Sequence, residues 1–145
     1  MKRLFLLIIF IASSCIVFSQ EGKVPSGIAE HFYMQYPYAT HVKVNKKWQA
    51  TDVEFYMNNE HYIALYAKDQ WQYTLMDYSF NRVPLQIKKS LKDTRYGNSD
   101  VMEAAVIYLP GGYEEYRLML KEDSFSERYV YFNENGKIKK VIPVK

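Results

Sequence analysis

Three histidines, His31, His41 and His61, are the side chains best suited to moving a proton or holding a metal near neutral pH, but they are widely separated. Neither His-Glu-x-x-His nor Cys-x-x-Cys surrounds any of them, so the expectation is no metal and no cofactor. Asn133-Glu134-Asn135-Gly136 has the start of a calcium loop but no later bidentate glutamate, and reads as a hairpin turn. No Gly-x-Ser-x-Gly elbow occurs, and no glycine-rich loop links a strand to a helix, so nucleophilic and phosphate-binding chemistry lack support. The carboxylates Asp52 and Glu54, or Glu114 and Glu115, could converge across a sheet, but acid–base work needs one of them shifted by burial or a like charge. Alternation along a strand reads more simply as a wet face. No catalytic residues are assigned, and a non-enzymatic protein is expected.

Aromatic side chains are the stronger signal, with fourteen tyrosines and two tryptophans in 145 residues, all downstream of the N-terminal apolar run. Tyrosine gives large contact area at low entropic cost with a hydrogen-bonding tip, which suits a binding surface. It also suits a strand, where cross-strand pairs contribute roughly 0.2–1 kcal/mol each.

What positions these residues is mostly strand. Val53, Phe55 and Met57 alternate with Asp52, Glu54 and Tyr56, and after an Asn58-Asn59 turn Ile63 and Leu65 alternate with Tyr62, Ala64 and Tyr66. His41 to Val44 precedes this hairpin as a short strand, and Trp71 to Tyr78 follows the Lys68-Asp69-Gln70 turn. Further strands are expected over 101–109, across Tyr116 to Leu120, around Val130 and Phe132, and over 137–144. Pro110-Gly111-Gly112, Glu122-Asp123-Ser124 and Asn133 to Gly136 supply their turns.

Helix signals are few. Val24-Pro25-Ser26-Gly27-Ile28-x-x-x-Phe32 returns as Val83-Pro84-Leu85-Gln86-Ile87-x-x-x-Leu91. Each proline suits a first helical turn, and each apolar pair at i, i+4 makes one stripe. The first helix is predicted over 25–35, ended by Tyr36-Pro37, and the second over 84–96. The basic run Lys88-Lys89-x-x-Lys92-x-x-Arg95 reads as a solvated helix face.

The predicted fold is therefore α+β, a tandem repeat of two helix-plus-antiparallel-strands units, about 24–80 and 81–145, forming one curved sheet with helices on one face. If Val53, Phe55, Ile63, Leu65, Tyr116, Leu118, Val130 and Phe132 face the helices, the pleat sends Tyr56, Tyr62, Tyr66, Tyr129, Tyr131, Glu54, Glu115 and Arg117 to the opposite face. Those eight residues are the expected partner-binding set. Trp48 and Trp71 read as edge or core packing, a reading that an exposed Trp48 would change.

The start of the chain reads as a targeting segment. Lys2 and Arg3 precede an almost wholly apolar run from Leu4 to Phe18, and Val17-Phe18-Ser19 offers a cleavage site, giving a signal peptide over 1–19 and a single domain over 20–145. The run is shorter than the roughly 20 residues needed to cross a bilayer. Lipidation at Cys15 is the weaker alternative, because Ala12-Ser13-Ser14 lacks a large apolar residue three before the cysteine. Cleavage after Ser19 removes the one cysteine, so no disulfide is expected, and removing Lys2 and Arg3 lowers the formal charge of +3 to +1. A near-neutral domain carries no electrostatic footprint for nucleic acid. An exported, periplasmic or secreted protein is expected.

The chain resembles the PepSY-like domains of secreted bacterial proteins, described as β-lactamase-inhibitor-like. The resemblance covers most of residues 24–142. It rests on the Val-Pro-x-x-Ile-x-x-x-Phe helix start, the Tyr36-Pro37-x-Ala39-x-x-Val42 exit, Trp48, Val53-Glu54-Phe55, and Lys68-Asp69-Gln70-Trp71 where the family has Asp-x-x-Gly before Trp. It implies a tandem of units forming one curved layer with helices on the convex side, acting as a binding or inhibitory module without catalytic residues. The expected partner is a protein or peptide of the cell envelope, engaged by the tyrosine-rich face. The alternative is a carbohydrate- or small-ligand-binding domain.

Overall fold

The computed structural model describes residues 22–124 and 126–144. The signal peptide expected over 1–19, its cleavage site and Cys15 lie outside them.

Helix α1 (Ser26–Gln35) is followed by strands β1 (Thr40–Lys46), β2 (Ala50–Met57), β3 (Glu60–Ala67) and β4 (Gln70–Tyr78). A single 3-10 turn leads to helix α2 (Leu85–Lys92), then to β5 (Asp100–Tyr108), β6 (Glu114–Lys121), β7 (Glu127–Asn133) and β8 (Ile138–Pro143). All eight strands form one antiparallel sheet in the order β1-β2-β3-β4-β5-β6-β7-β8.

This corrects the predicted α+β tandem repeat. Among the described residues the molecule is mostly one eight-stranded sheet with two short helices of 10 and 8 residues, and no tandem of helix-plus-strand units is seen. The physical reason lies at the expected boundary, where β4 and β5 pair continuously from Thr74↔Tyr108 to Tyr78↔Ala104. Ile28 and Phe32 of α1 and Ile87 and Leu91 of α2 enter one hydrophobic cluster with residues of β2 to β7. Neither half closes a core of its own.

Local chemistry sets the helix ends. The Pro25 carbonyl accepts from Ile28 and Ala29 N–H, opening α1, and the Tyr36 N–H donates to Phe32 O at 2.8 Å before Pro37 stops the helix. Helix α2 ends at Lys92, four residues before the predicted Tyr96. The Thr94 hydroxyl donates to Leu91 O at 2.7 Å and draws the chain into a turn that buries Tyr96.

Two-residue turns fix the register of the first hairpins. Asn58 and Asn59 have φ of 54° and 63°, and Lys68 and Asp69 have φ of 51° and 60°. Positive φ at both central residues is the turn geometry that matches strand twist. The first turn sets Met57 against Glu60, and hence Phe55 against Tyr62 and Val53 against Ala64.

Phe32 meets Phe55 edge-on at 5.1 Å, while Tyr36 lies 4.6 Å and Tyr62 5.2 Å from the same Phe55 ring. Aromatic pairs of this kind contribute about 0.5–1.5 kcal/mol each beyond area burial. At α2, the Gln86 amide donates to Glu134 O at 3.1 Å, tying the helix to the β7–β8 turn.

Candidate functional site

Cross-strand partners point to the same face of a sheet, so the pairings define what lies opposite the helices. Glu54 pairs with Ile63, Ile63 with Leu75, Leu75 with Ile107 and Ile107 with Glu115. One row further along, Ala105 pairs with Arg117, Arg117 with Tyr131 and Tyr131 with Lys140. Neither helix contributes to this side. It nevertheless buries a second apolar cluster, Leu75, Ala105 and Ile107, with Tyr73, Leu109 and Tyr131 packed against it.

Polar residues flank that cluster on both sides. Toward β7 and β8, Arg117 Cζ lies 4.6 Å above the Tyr129 ring, Lys140 Nζ lies 4.3 Å above the Tyr131 ring, and Lys139 Nζ reaches Glu115 Oε1 at 3.1 Å. Toward β1 and β2, His61 stands between two carboxylates, with Nδ1 2.7 Å from Asp77 Oδ2 and Nε2 3.2 Å from Glu54 Oε1. Glu54 also faces Lys43 at 3.7 Å, and Asp52 pairs with Lys47. Burial, and next the neighbouring Asp52 charge, raise the Tyr73 hydroxyl above its ordinary value.

Six of the eight residues expected on this face lie there: Tyr56, Tyr129, Tyr131, Glu54, Glu115 and Arg117. The structure brings Arg117, Glu115, Tyr129 and Tyr131 together. Tyr56 and Glu54 on β2 sit with His61 at the other side, four strand spacings from β6 and five from β7, roughly 19–24 Å along the sheet.

Tyr62 and Tyr66 belong to the opposite face. They are 9% and 1% exposed, inside the helix-covered core, while Ile63 and Leu65 take the outward positions assigned to them. Strand β3 is apolar on both sides, so alternation alone could not orient it. The signal that does so is the Asn58-Asn59 turn: a two-residue loop puts Tyr62 opposite Phe55, and Phe55 is core. Sequence reasoning also missed Tyr73, Leu75 and His61 as members of the open face.

Glu114 and Glu115 do not converge, whereas Glu54 meets Asp77 across the sheet through His61. Glu114 accepts from the Tyr116 hydroxyl at 3.1 Å while Glu115 faces Lys139 on the other side, as neighbours on a strand must. Among the described residues no three His, Cys, Asp or Glu side chains are grouped as metal ligands. Trp48, at the β1–β2 turn, is 96% exposed, which overturns its reading as packing. Trp71 is half-buried and donates Nε1–H to Thr74 Oγ1 at 2.9 Å.

No protein-family model matches the chain, and no curated protein matches it. Solved structures do. A DUF2874 family protein from Bacteroides ovatus superposes with a TM-score of 0.77 at 19% identity, covering 85% of this chain and 89% of that one. A BLIP-like protein from Bacteroides fragilis gives 0.73 at 19% identity, over 85% and 89% of the two chains. A protein from Bacteroides eggerthii, described provisionally as periplasmic, gives 0.75 at 14% identity, over 85% and 91%. At such identities the likeness is one of fold. It agrees with the β-lactamase-inhibitor-like part of the resemblance, and the PepSY-like part finds no counterpart in these three. Among the described residues no helix is long and apolar enough to cross a membrane.

Proposed function

We propose that this chain is an exported, non-enzymatic binding module that engages or inhibits a protein or peptide of the cell envelope through the helix-free face of its sheet. The observation that carries the reading is the second apolar cluster on that face, Leu75, Ala105 and Ile107, bordered by Tyr73 and Tyr131 with no helix over it among the described residues. An apolar centre with an aromatic and charged border is the composition of protein-binding surfaces, where tyrosine and arginine carry much of the energy. Arg117 over Tyr129 and Lys140 over Tyr131 hold the tyrosine rings in place, which lowers the entropy lost on binding. The fold shared with a BLIP-like protein supports a binding role, and the fold shared with a provisionally periplasmic one supports an envelope location. Export follows from the leader over 1–19, with cleavage after Ser19.

The test is affinity capture from an envelope extract with two baits, the natural protein and a Tyr56→Ser/Tyr129→Ser/Tyr131→Ser variant whose fold is checked by circular dichroism. A protein held by the first and lost from the second is then purified, and its affinity for both baits measured directly. Equal binding by both removes the open face from consideration.

A further inference from the structure

The helix-covered side carries a feature that the open-face reading does not use. Between the C-terminal end of α1 and the β5–β6 hairpin lies a cleft of about 520 Å3, walled by Tyr36, Tyr62, Trp71, Tyr108, Tyr113 and Glu114. That volume falls within the range of small-ligand sites. Its walls are built rather than incidental. The buried Thr74 hydroxyl meets the Tyr36 hydroxyl and also accepts Trp71 Nε1–H, so one side chain fixes two aromatic rings of the wall.

Two hydroxyls in the wall lack strong partners. Tyr62 is 91% buried, being 9% exposed, and its phenol makes no hydrogen bond among the described residues. The Tyr108 hydroxyl has only a 3.9 Å contact to the Met76 sulfur, a weak acceptor. Neither hydroxyl is sealed from water; both open to the cleft, where a ligand oxygen can pair with them.

The lining chemistry narrows the ligand. Among the described residues no lysine, arginine or histidine lines the cleft, and the one carboxylate there, Glu114, already accepts from Tyr116, so the site does not suit an anion. Burial pushes the Tyr36 hydroxyl up to about 12 and also raises Tyr62 and Tyr108, so these groups remain neutral hydroxyls that can both donate and accept. Tyr113, 63% exposed at the hairpin end, offers a ring at the mouth. The negative face of an aromatic ring attracts the weakly positive C–H face of a pyranose, and neutral phenols match its hydroxyl edge.

We propose that this cleft binds a neutral saccharide of one or two residues, at a site separate from the open sheet face.

The test is 15N NMR of the protein, following its two tryptophan indole signals during titration with maltose, cellobiose, lactose, N,N′-diacetylchitobiose and tetramethylammonium chloride. Trp71 lines the cleft, whereas Trp48 does not and serves as the internal control. The expected result is a saturable shift of the Trp71 signal with at least one disaccharide while Trp48 is unmoved. Tyr113→Ala, and Tyr62→Phe, which deletes only the unpartnered hydroxyl, should each weaken that binding about tenfold or more. The open-face triple variant should bind the sugar unchanged, so loss of protein capture and loss of sugar binding are separate outcomes. No Trp71 shift with any disaccharide, a shift that survives both substitutions, or a response to tetramethylammonium alone overturns the proposal.

Discussion

Tyr62 stacks on Phe55, its partner across the β2–β3 hairpin, with ring centroids 5.2 Å apart and planes 11° from parallel. This pairing places one of the tyrosines expected on the binding face inside the core. Tyr66 follows it four residues on along β3, at 1% exposure, with its hydroxyl 3.1 Å from His31 Nδ1.

Truncation should therefore separate the two classes of tyrosine. Tyr66→Ala is expected to cost about 3–5 kcal/mol, as for other large buried aromatics, whereas Tyr129→Ser should cost about 1 kcal/mol or less, the scale of one cross-strand pair. Urea unfolding monitored by circular dichroism measures both. An unchanged midpoint for Tyr66→Ala would contradict its place in the core.

Thr74 is the one buried polar residue among those described, and it serves Tyr36 and Trp71 together. Thr74→Val keeps the shape and removes the hydroxyl, leaving a phenol and an indole N–H without their partner. The expected loss is about 1–3 kcal/mol. Thermal melting, read alongside hydrogen exchange at the Trp71 indole, checks it; if exchange is not accelerated, the bond to Thr74 is not what protects that proton.

Gly136 has φ of 83°, and a Cβ there would lie 2.7 Å from Ser90 Oγ and 3.0 Å from Gln86 O. Gly112 has φ of 78° with nothing within 4 Å of such a Cβ. Gly112→Ala should cost about 1–2 kcal/mol from backbone conformation alone, and Gly136→Ala more, because α2 must also shift. The reverse order of melting temperatures would mean that the β7–β8 turn does not press on the helix.

Alkaline pH should unfold the protein through its buried phenols. Burial raises Tyr36 and Tyr116 to about 12 from an ordinary 10.0, and Tyr66 is raised as well. A raised phenol keeps its proton in the fold after the unfolded chain has released it, so stability is fully present below pH 10 and falls as pH climbs from 10 toward 12. Tyr36→Phe should flatten part of that decline. Denaturant midpoints measured across this interval test the sign, and a midpoint that rises with pH would refute it.

Local chemistry carried much of the architecture. Pro25 and Pro84 mark the helix starts because proline fits a first turn and fixes φ. Asn58-Asn59, Gly111-Gly112 and Asn135-Gly136 mark hairpins because these residues tolerate the left-handed region. Alternation in β2, β6 and β7 placed Glu54, Arg117 and Tyr129 on the open face because only one side of each strand is apolar.

Tertiary structure decided the rest. In β3 both faces are apolar, so orientation depends on the turn before it. In β4 a bulge shifts the register between the Leu65↔Tyr73 and Tyr66↔Trp71 pairs, which turns Trp71 toward the cleft and Tyr73 toward the open face. The single sheet in place of two units follows from β4 pairing with β5, and the shared hydroxyl of Thr74 follows from contacts spanning 38 residues. Turn signals and periodicity report what neighbours along the chain prefer. Which strands meet, and which phenols are thereby enclosed, depends on free energy gained only when distant segments bury one another.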